Sequence, residues 1–505
     1  MIRFRYIHVP CWPPLSWLAR GSYASTTIEV FHGTRVEISD EWFCEATWAG
    51  DFELGGFDQT DIVAGSGARL RDGKVVFVAS GSTADRLHSL KTDAGVCVSN
   101  SLPCLLAEVE ATVDPCYEGY IEDFESIIKG IEKYQRVLST STGSVDLTYF
   151  DNLLWDGRAL SRQAKPGENH NFASFVHYRD FLLKCIQLIS RDMAASQRKH
   201  PYTKIVSTCS NGYDSPAVTA LVKQAGGNEV LALSFDKSRD GDDDSGKPIA
   251  ERLGIPHVIL PQDGWRRSNA LSEVPFIAAS PGTRDLHFKE AEDYLSHSVL
   301  FSGFRGGAVW DKVPRELGPT LMRRDDSGLG LSEYRLWIGF LHCPITFLGA
   351  RQCNDINAIS NSCEMKPWDI GGDYNKPIAR RILEEAGIPR EIFGVRKKAA
   401  GVFLHSVENF LTPLSRKDFQ DWLGEHREHG RKRSRIHPFL WIGIVNNLII
   451  RHSYIRFQWV KNLRGLWRLP TAMAKLERKY VRNYVRRYTF PWAIEHAKSR
   501  YSRPF

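Results

Sequence analysis

A short run of small, hydroxylated and acidic residues is the part of this sequence best suited to chemistry. It reads Ser210-Asn211-Gly212-Tyr213-Asp214-Ser215 and directly precedes a predicted helix. Ser210 and Gly212 leave room for a polyphosphate near the backbone, where the N–H groups of a helix N-terminus attract anions. The Ser210 and Ser215 hydroxyls can donate to phosphate oxygens. Because the Asp214 carboxylate would repel phosphate unless a cation lay between them, it predicts bound Mg²⁺.

The same residue types also form helix N-caps without any ligand, so this loop alone leaves both interpretations open. The elements around it favour a binding site. Strands predicted at 204–208, 230–235, 257–260 and 298–301 alternate with helices at 175–197, 216–224, 247–253 and 285–296. This alternation predicts a doubly wound parallel sheet with its ligand at the carboxyl ends of the strands.

The site is therefore expected on the loops after Val206, Phe235 and Phe301. We expect the nucleotide-binding residues to be those of the loop and of the neighbouring strand ends: Ser207, Ser210, Asn211, Gly212, Tyr213, Ser215, Ser234 and Gly303. Beyond Gly330 the chain is predicted to be largely helical.

The loop resembles the pyrophosphate-binding loop Ser-x-Gly-x-Asp-Ser of the N-type ATP pyrophosphatases. Within that superfamily, the chain from about Lys204 to Gly401 is similar to the asparagine synthetase family. Other segments match family motifs in the same order along the chain: 240–257, 274–281, 299–303, 376–383 (K-x-x-L-R), 388–392 (L-P-x-E-I) and 396–398 (R-x-K).

The resemblance implies an ATP-dependent ligase that adenylates a carboxylate, releases pyrophosphate and passes the acyl group to an amine. ATP and Mg²⁺ are then the expected cofactors, and a small-molecule or sugar carboxylate and an amine are the substrates. Lys398 takes the position of the family's catalytic lysine, with Lys397 as the adjacent alternative. Arg380 and Arg381 are further candidates for binding phosphate or the substrate carboxylate. Without the resemblance, all four would be read as surface charges.

The chain departs from the family at the glycine turn. There the family continues into Gly-Asp-Glu or Gly-Ala-Asp, whereas this chain has Phe304-Arg305-Gly306-Gly307-Ala308-Val309-Trp310-Asp311. Asp311, or an acid within 240–244, is expected to replace the missing metal ligand. Alternatively, Arg305 binds phosphate directly and acts in catalysis with Lys398 and Asp214. The same loss leaves a non-catalytic nucleotide-binding or scaffold homologue as an alternative.

From Ile28 to about Leu153 the chain is predicted to be mainly β with helical interruptions, and to include a hairpin that turns at Asp72-Gly73. Segment 97–103 is similar to a late segment of the family's glutaminase domain. That domain uses a cysteine at position 2 as its nucleophile, whereas this chain has Ile2, and Cys11 is too far along to replace it. We expect a degenerate αββα fold of the N-terminal nucleophile hydrolase type, which makes no ammonia from glutamine.

Family members without the cysteine include β-lactam synthetases and lasso-peptide cyclases, and others resemble ligases of surface-polysaccharide metabolism. The polar stretch 164–171 reads as a linker. The expected domains are thus 1–165, a degenerate glutaminase-like domain; 170–405, the ATP pyrophosphatase domain; and 406–505, a basic helical extension.

The 505 residues carry a net charge of +7, which conceals an uneven distribution. Residues 431–505 have a net charge of +16 and residues 1–430 one of −9. The basic extension also carries Trp441, Trp459, Trp467 and Trp492. It is interpreted as packing on the acidic body or facing water, or as contacting an anionic membrane surface. Nucleic-acid binding, as in a tRNA-modifying enzyme, is the least favoured interpretation.

Ten cysteines without a C-x-x-C pair predict reduced thiols rather than a disulfide framework or zinc site. No clean signal peptide is visible, and the longest apolar run, 439–450, is short for a membrane span. We therefore expect a cytoplasmic protein, with peripheral contact to the inner face of the membrane through the basic extension. The oligomeric state is left open.

Overall fold

The structure is a computed structural model. It describes residues 2–115, 117, 119–167, 170–226, 229–238, 240–282, 284–314, 317–394, 401–402, 411–426 and 483–502.

Two stacked sheets, built mainly from antiparallel strands, form the N-terminal region. Their strands, in chain order, are β1 (Arg3–His8), β2 (Trp17–Ser22), β3 (Thr27–His32), β4 (Glu37–Ile38), β5 (Trp42–Trp48), β6 (Val63–Arg71), β7 (Lys74–Val78), β8 (Leu87–Thr92), β9 (Gly95–Ser99), β10 (Val137–Thr140), β11 (Gly143–Thr148), β12 (Asn152–Trp155) and β13 (Leu160–Gln163). One sheet has the order β1-β3-β2-β9-β8-β11-β10 and the other β13-β12-β7-β6-β5-β4.

Apolar side chains fill the space between the two sheets, among them Trp17, Phe43 and Phe77, and Ile2 packs into the same core. Helices α1 (Leu102–Glu108) and α2 (Tyr120–Glu125) share the core on the outer face of the first sheet. The predicted mixture of sheet and helix is confirmed. So is the predicted hairpin, because Asp72 and Gly73 have φ angles of 51° and 73° between paired strand ends.

The second region is a parallel sheet flanked by helices. Its strands are β14 (Lys204–Thr208), β15 (Val230–Phe235), β16 (His257–Leu260), β17 (Ser298–Ser302) and β18 (Leu341–Pro344). The order is β16-β15-β14-β17-β18 and every pair is parallel, which confirms the predicted parallel sheet. Strand β18 was not predicted, since His342 and Pro344 interrupt its apolar pattern and the chain beyond Gly330 was expected to be largely helical.

The remaining helices follow the chain. The α-helices are α3 (Phe175–Met193), α4 (Asp214–Gln224), α5 (Lys247–Arg252), α6 (Val274–Ala279), α7 (Glu292–Leu295), α8 (Gly306–Val309), α9 (Leu331–Ile338), α10 (Cys353–Ser360), α11 (Pro377–Glu385), α12 (Pro413–His426) and α13 (Asn483–Lys498). The 3-10 helices are Phe57–Gln59, Ser126–Lys129, Gly264–Arg267, Leu286–Ala291, Ile345–Phe347, Ala350–Gln352, Cys363–Trp368, Arg390–Ile392 and Ser499–Tyr501. The single helix predicted at 285–296 is thus a 3-10 helix followed by the short α7.

A buried charge cluster joins the two regions. Arg335 of α9 donates to both carboxylate oxygens of Glu45 at 2.6 and 3.1 Å, and to Asp85 at 2.8 Å. Burial raises the pKa of Glu45, while the neighbouring guanidinium opposes that shift. Since Arg335 pairs with both acids across the boundary, the two regions depend on each other for this contact.

The described ends of the predicted basic extension pack on the body. Helix α13 packs against α6, and side-chain hydrogen bonds join α12 to α13. Asp418 accepts a hydrogen bond from Trp492 Nε1 at 2.7 Å, and its Oδ1 lies 2.6 Å from His496 Nε2. Glu495 in turn accepts one from Trp422 Nε1 at 2.7 Å. Residues 427–482, with most of the basic residues of this extension, lie outside the described part.

In the described residues, no helix is long and apolar enough to span a membrane, and the cysteines are free thiols.

The predicted linker contains a buried lysine. Lys165 is 2% exposed, and its ammonium donates to Ala79 O at 2.7 Å and Asn152 Oδ1 at 2.8 Å. Burial lowers its pKa from 10.5 to about 7, against the opposing effect of nearby carboxylates such as Asp61. The start of the linker is therefore part of the folded N-terminal region.

Replacing this lysine should change how stability depends on pH. Between pH 7 and 10 the unfolded chain keeps the Lys165 proton and the folded protein releases it, so this residue makes unfolding less favourable as pH rises. We expect the free energy of unfolding of wild type, measured in urea, to rise with pH relative to that of Lys165→Met, by at most about 1.4 kcal/mol per pH unit. Parallel pH curves for the two proteins would contradict the lowered pKa.

Candidate functional site

The Ser210–Ser215 loop lies at the carboxyl end of β14, the central strand of the parallel sheet. The chain continues from β14 to β15 on one side, and β17 lies on the other, so the loop occupies the switch point where such sheets bind ligands. Ser210 Oγ lies 2.9 Å from Ser215 Oγ and accepts a hydrogen bond from Gly212 N at 3.2 Å. The two predicted phosphate-binding hydroxyls are therefore side by side at the start of α4.

A lysine neutralises the acid of the loop. Lys376 Nζ donates to both carboxylate oxygens of Asp214, at 2.7 and 2.5 Å. The lysine side chain is only 4% exposed and the aspartate side chain 25%. An ammonium group thus occupies the position beside Asp214 where the sequence predicted a metal ion.

Two glycines let the turn after β17 approach this ion pair. A Cβ atom at Gly303 would lie 2.6 Å from the Asp214 carbonyl carbon and 2.7 Å from Ser215 N. A Cβ atom at Gly306 would collide with the Asp214 carboxylate. Gly303, predicted as a binding residue, is therefore brought to the loop, and its role there is to leave space.

The hydroxyls of Ser207 and Ser234 are engaged in structural hydrogen bonds. Ser207 Oγ lies 2.8 Å from Thr219 Oγ1 of α4. Ser234 Oγ donates to Cys209 O at 2.8 Å and accepts from Gly246 N at 3.1 Å. Both serines are buried and hold strands to helices beneath the loop.

Arg305 is placed away from the loop. It adopts a left-handed conformation, with φ of 75°, and its Nε donates to Met322 O at 2.8 Å. The guanidinium also lies 5.0 Å from the centre of the Phe347 ring. Its donors are directed to the carbonyl groups of the interior, so the structure does not bring Arg305 together with Asp214.

Asp311 is connected to the site through Arg324, with which it forms an ion pair. Its carboxylate pairs with Arg324 at 2.7 Å. Arg324 Cδ and Lys376 Nζ lie 3.3 and 3.7 Å from the point where a Cβ atom of Gly307 would stand. Two cations therefore flank the Gly306–Gly307 turn, which is a suitable setting for phosphate oxygens.

Sequence reasoning assigned no role to Lys376 or Arg324. Lys376 is the first residue of the K-x-x-L-R segment, so its place in a family motif could have indicated a role in the site. Nothing in the sequence distinguishes Arg324 from a surface charge. Lys397 and Lys398 lie outside the described residues. Arg381 pairs with Glu385 at 2.7 Å and Glu364 at 3.2 Å, as a helix-surface residue does.

The donor set does not fit a metal held by the protein alone. Both predicted ligands, Asp214 and Asp311, are paired with cations. Within the described residues, no group of three or more His, Cys, Asp or Glu side chains is arranged to hold a metal ion.

No protein-family model matches this chain, and no curated protein is significantly similar to it in sequence. The likeness to the asparagine synthetase family therefore rests on the segments quoted above, and the family remains a proposal.

The Asp214–Lys376 pair should be measurable as an energetic coupling. Each single variant, Asp214→Asn or Lys376→Met, leaves the other charge partly buried without its partner. The losses in free energy of unfolding of the two single variants should therefore add up to more than the loss in the double variant. We expect a coupling of about 1–3 kcal/mol in the free energy of urea unfolding. Additive effects of the two substitutions would show that the ion pair is not formed in solution.

Proposed function

We propose that this protein is an ATP-dependent ligase that adenylates a carboxylate, releases pyrophosphate and forms an amide bond. The observation that carries the proposal is the Ser210–Ser215 loop at the switch point of a parallel sheet, with the Lys376 ammonium bound to Asp214 beside it. Adjacent hydroxyls, a helix N-terminus and a cation together suit the triphosphate of ATP.

In this proposal the protein's own residues hold the leaving pyrophosphate. Ser210 and Ser215 donate through their hydroxyls, which lie 2.9 Å apart at the N-terminal end of α4. Lys376 and Arg324 supply positive charge as negative charge develops on the leaving group. Asp214 keeps Lys376 in place by accepting two of its hydrogen bonds. Any magnesium ion would arrive as part of the substrate, MgATP.

Lys398 is proposed, on the strength of the sequence resemblance alone, to stabilise the charge that develops at the α-phosphorus during adenylation and later at the acyl carbon when the amine attacks. The amine is proposed to come from a substrate rather than from glutamine. This point also rests on the sequence resemblance alone; in the structure the Ile2 side chain is buried between the two sheets. The proposed setting is specialised or surface-polysaccharide metabolism.

One observation favours a second candidate, a non-catalytic nucleotide-binding or scaffold protein. The acids expected after Gly303 are missing, and Asp311 is bound to Arg324 instead of lying free for a metal. Such a protein would bind nucleotide at most. The predictions of a tRNA substrate and of contact with an anionic membrane both rest on the basic extension, most of which lies outside the described residues, so both stay predictions.

A pyrophosphate–ATP exchange assay across a panel of carboxylates separates the two candidates. The ligase should exchange label in the presence of one class of carboxylate. Asp214→Ala and Lys398→Ala should each lower the exchange rate by about 100-fold or more, since each removes a group that holds or compensates charge. Lys223→Ala, at the far end of α4, is the matched control and should exchange at the wild-type rate. Silence of the wild type across a wide panel would favour the non-catalytic candidate.

A further inference from the structure

Tyr213 is the one aromatic residue of the Ser210–Ser215 loop, and its ring faces the protein interior with 1% exposure. It is enclosed by four residues from two other segments, and we name these five residues the Tyr213 cluster: Tyr213, Tyr374, Arg380, Phe393 and Gly394. The Tyr374 ring centre lies 4.8 Å from that of Tyr213, and the Phe393 ring centre 5.9 Å.

Arg380 holds the cluster together. Its guanidinium lies 5.3 Å from the ring centre of Tyr213 and 5.3 Å from that of Phe393, and it donates a hydrogen bond to the Tyr213 hydroxyl. The side chain is 4% exposed. The position of Arg380 on the first turn of α11 places it one helical turn after Lys376. A cation enclosed between two aromatic rings contributes through cation–π attraction, and its geometry is specific to the planar guanidinium.

Gly394 joins the cluster through its backbone. Its N–H donates to Asn211 O at 2.9 Å, and its φ of 63° lies in the left-handed region. A Cβ atom at this position would collide with the Tyr213 ring. The segment at 393–394 therefore contacts the loop at two of its residues, Asn211 and Tyr213.

Three lysines of the proposed site, Lys376, Lys397 and Lys398, follow residues of this cluster along the chain. Tyr374 comes two residues before Lys376, which binds Asp214. Gly394 is the last described residue before 395–400, the segment that contains Lys397 and Lys398. The cluster thus joins the loop to the segment that carries Lys376 and to residues 393–394, which directly precede 395–400 in the sequence.

We propose that Tyr213 and Arg380 are positioning residues, which set the register between the Ser210–Ser215 loop and the segment that leads into Lys397 and Lys398. This inference rests on the proposed function for its consequence in catalysis, but its structural part does not. Arg380 was predicted from the sequence to bind phosphate or a carboxylate. Its enclosure between rings assigns it instead to holding the loop against residues 393–394.

The first test needs no activity and uses hydrogen–deuterium exchange of the full chain, followed at the Gly394 amide. In Arg380→Met this amide should exchange at least tenfold faster than in wild type, while amides of β14 exchange at their wild-type rate. Tyr213→Phe, which removes only the hydroxyl, should give a smaller increase, and Arg380→Lys should remain intermediate. Arg179→Met is the matched control, because Arg179 also lies over an aromatic ring, that of Phe175.

The second test measures the consequence in pyrophosphate–ATP exchange. Arg380→Met and Tyr213→Phe should lower kcat at least tenfold and leave KM for ATP within threefold, whereas direct phosphate binding by Arg380 would raise KM. An unchanged Gly394 amide in Arg380→Met would overturn the positioning role. If Arg380→Met does not fold, the exchange rate of the Gly394 amide in Tyr213→Phe and Arg380→Lys tests the positioning role instead. Faster Gly394 exchange without any carboxylate-dependent activity in wild type would uphold the positioning role and reject the ligase.

Discussion

The ion pair between Lys376 and Asp214 is the interaction on which the candidate site depends. An aspartate at the start of α4 is favoured by the helix dipole, yet it opposes the binding of a phosphate group at the same helix end. The nearly buried ammonium of Lys376 resolves this conflict, because it pairs with the Asp214 carboxylate and neutralises its negative charge. It also brings α11 to the loop, and with it the arginine that encloses Tyr213.

Close packing makes this arrangement possible. Gly303 and Gly306 leave no side chain between the turn after β17 and the first turn of α4, so the carboxylate and the turn share one small space. Ser207 and Ser234 fasten the strands beneath to their helices. The site is thereby built at the carboxyl end of the central strand of the parallel sheet, and Arg335 joins this region to the N-terminal two-sheet region.

Much of this framework follows from local sequence. Apolar runs located β14, β15 and β16 to the residue, and β17 within one residue, because buried strands of four to six residues leave a clear pattern between turn signals. The Asp72-Gly73 turn was equally local. The Asp214–Lys376 pair was not predictable in this way, since 162 residues separate its members and only the fold brings them together. Arg305 was assigned to phosphate because its burial against Met322 and Phe347 is invisible in the sequence.

The central claim is that the Ser210–Ser215 loop and Lys376 together form a pyrophosphate site, whatever the carboxylate substrate is. Calorimetric titration of the full chain with magnesium pyrophosphate tests it most directly. We expect saturable binding to one site of the wild type, at least tenfold weaker binding to Lys376→Met, and wild-type affinity in Lys223→Met. Equal affinity in wild type and Lys376→Met, or no binding to wild type at millimolar pyrophosphate, would contradict it.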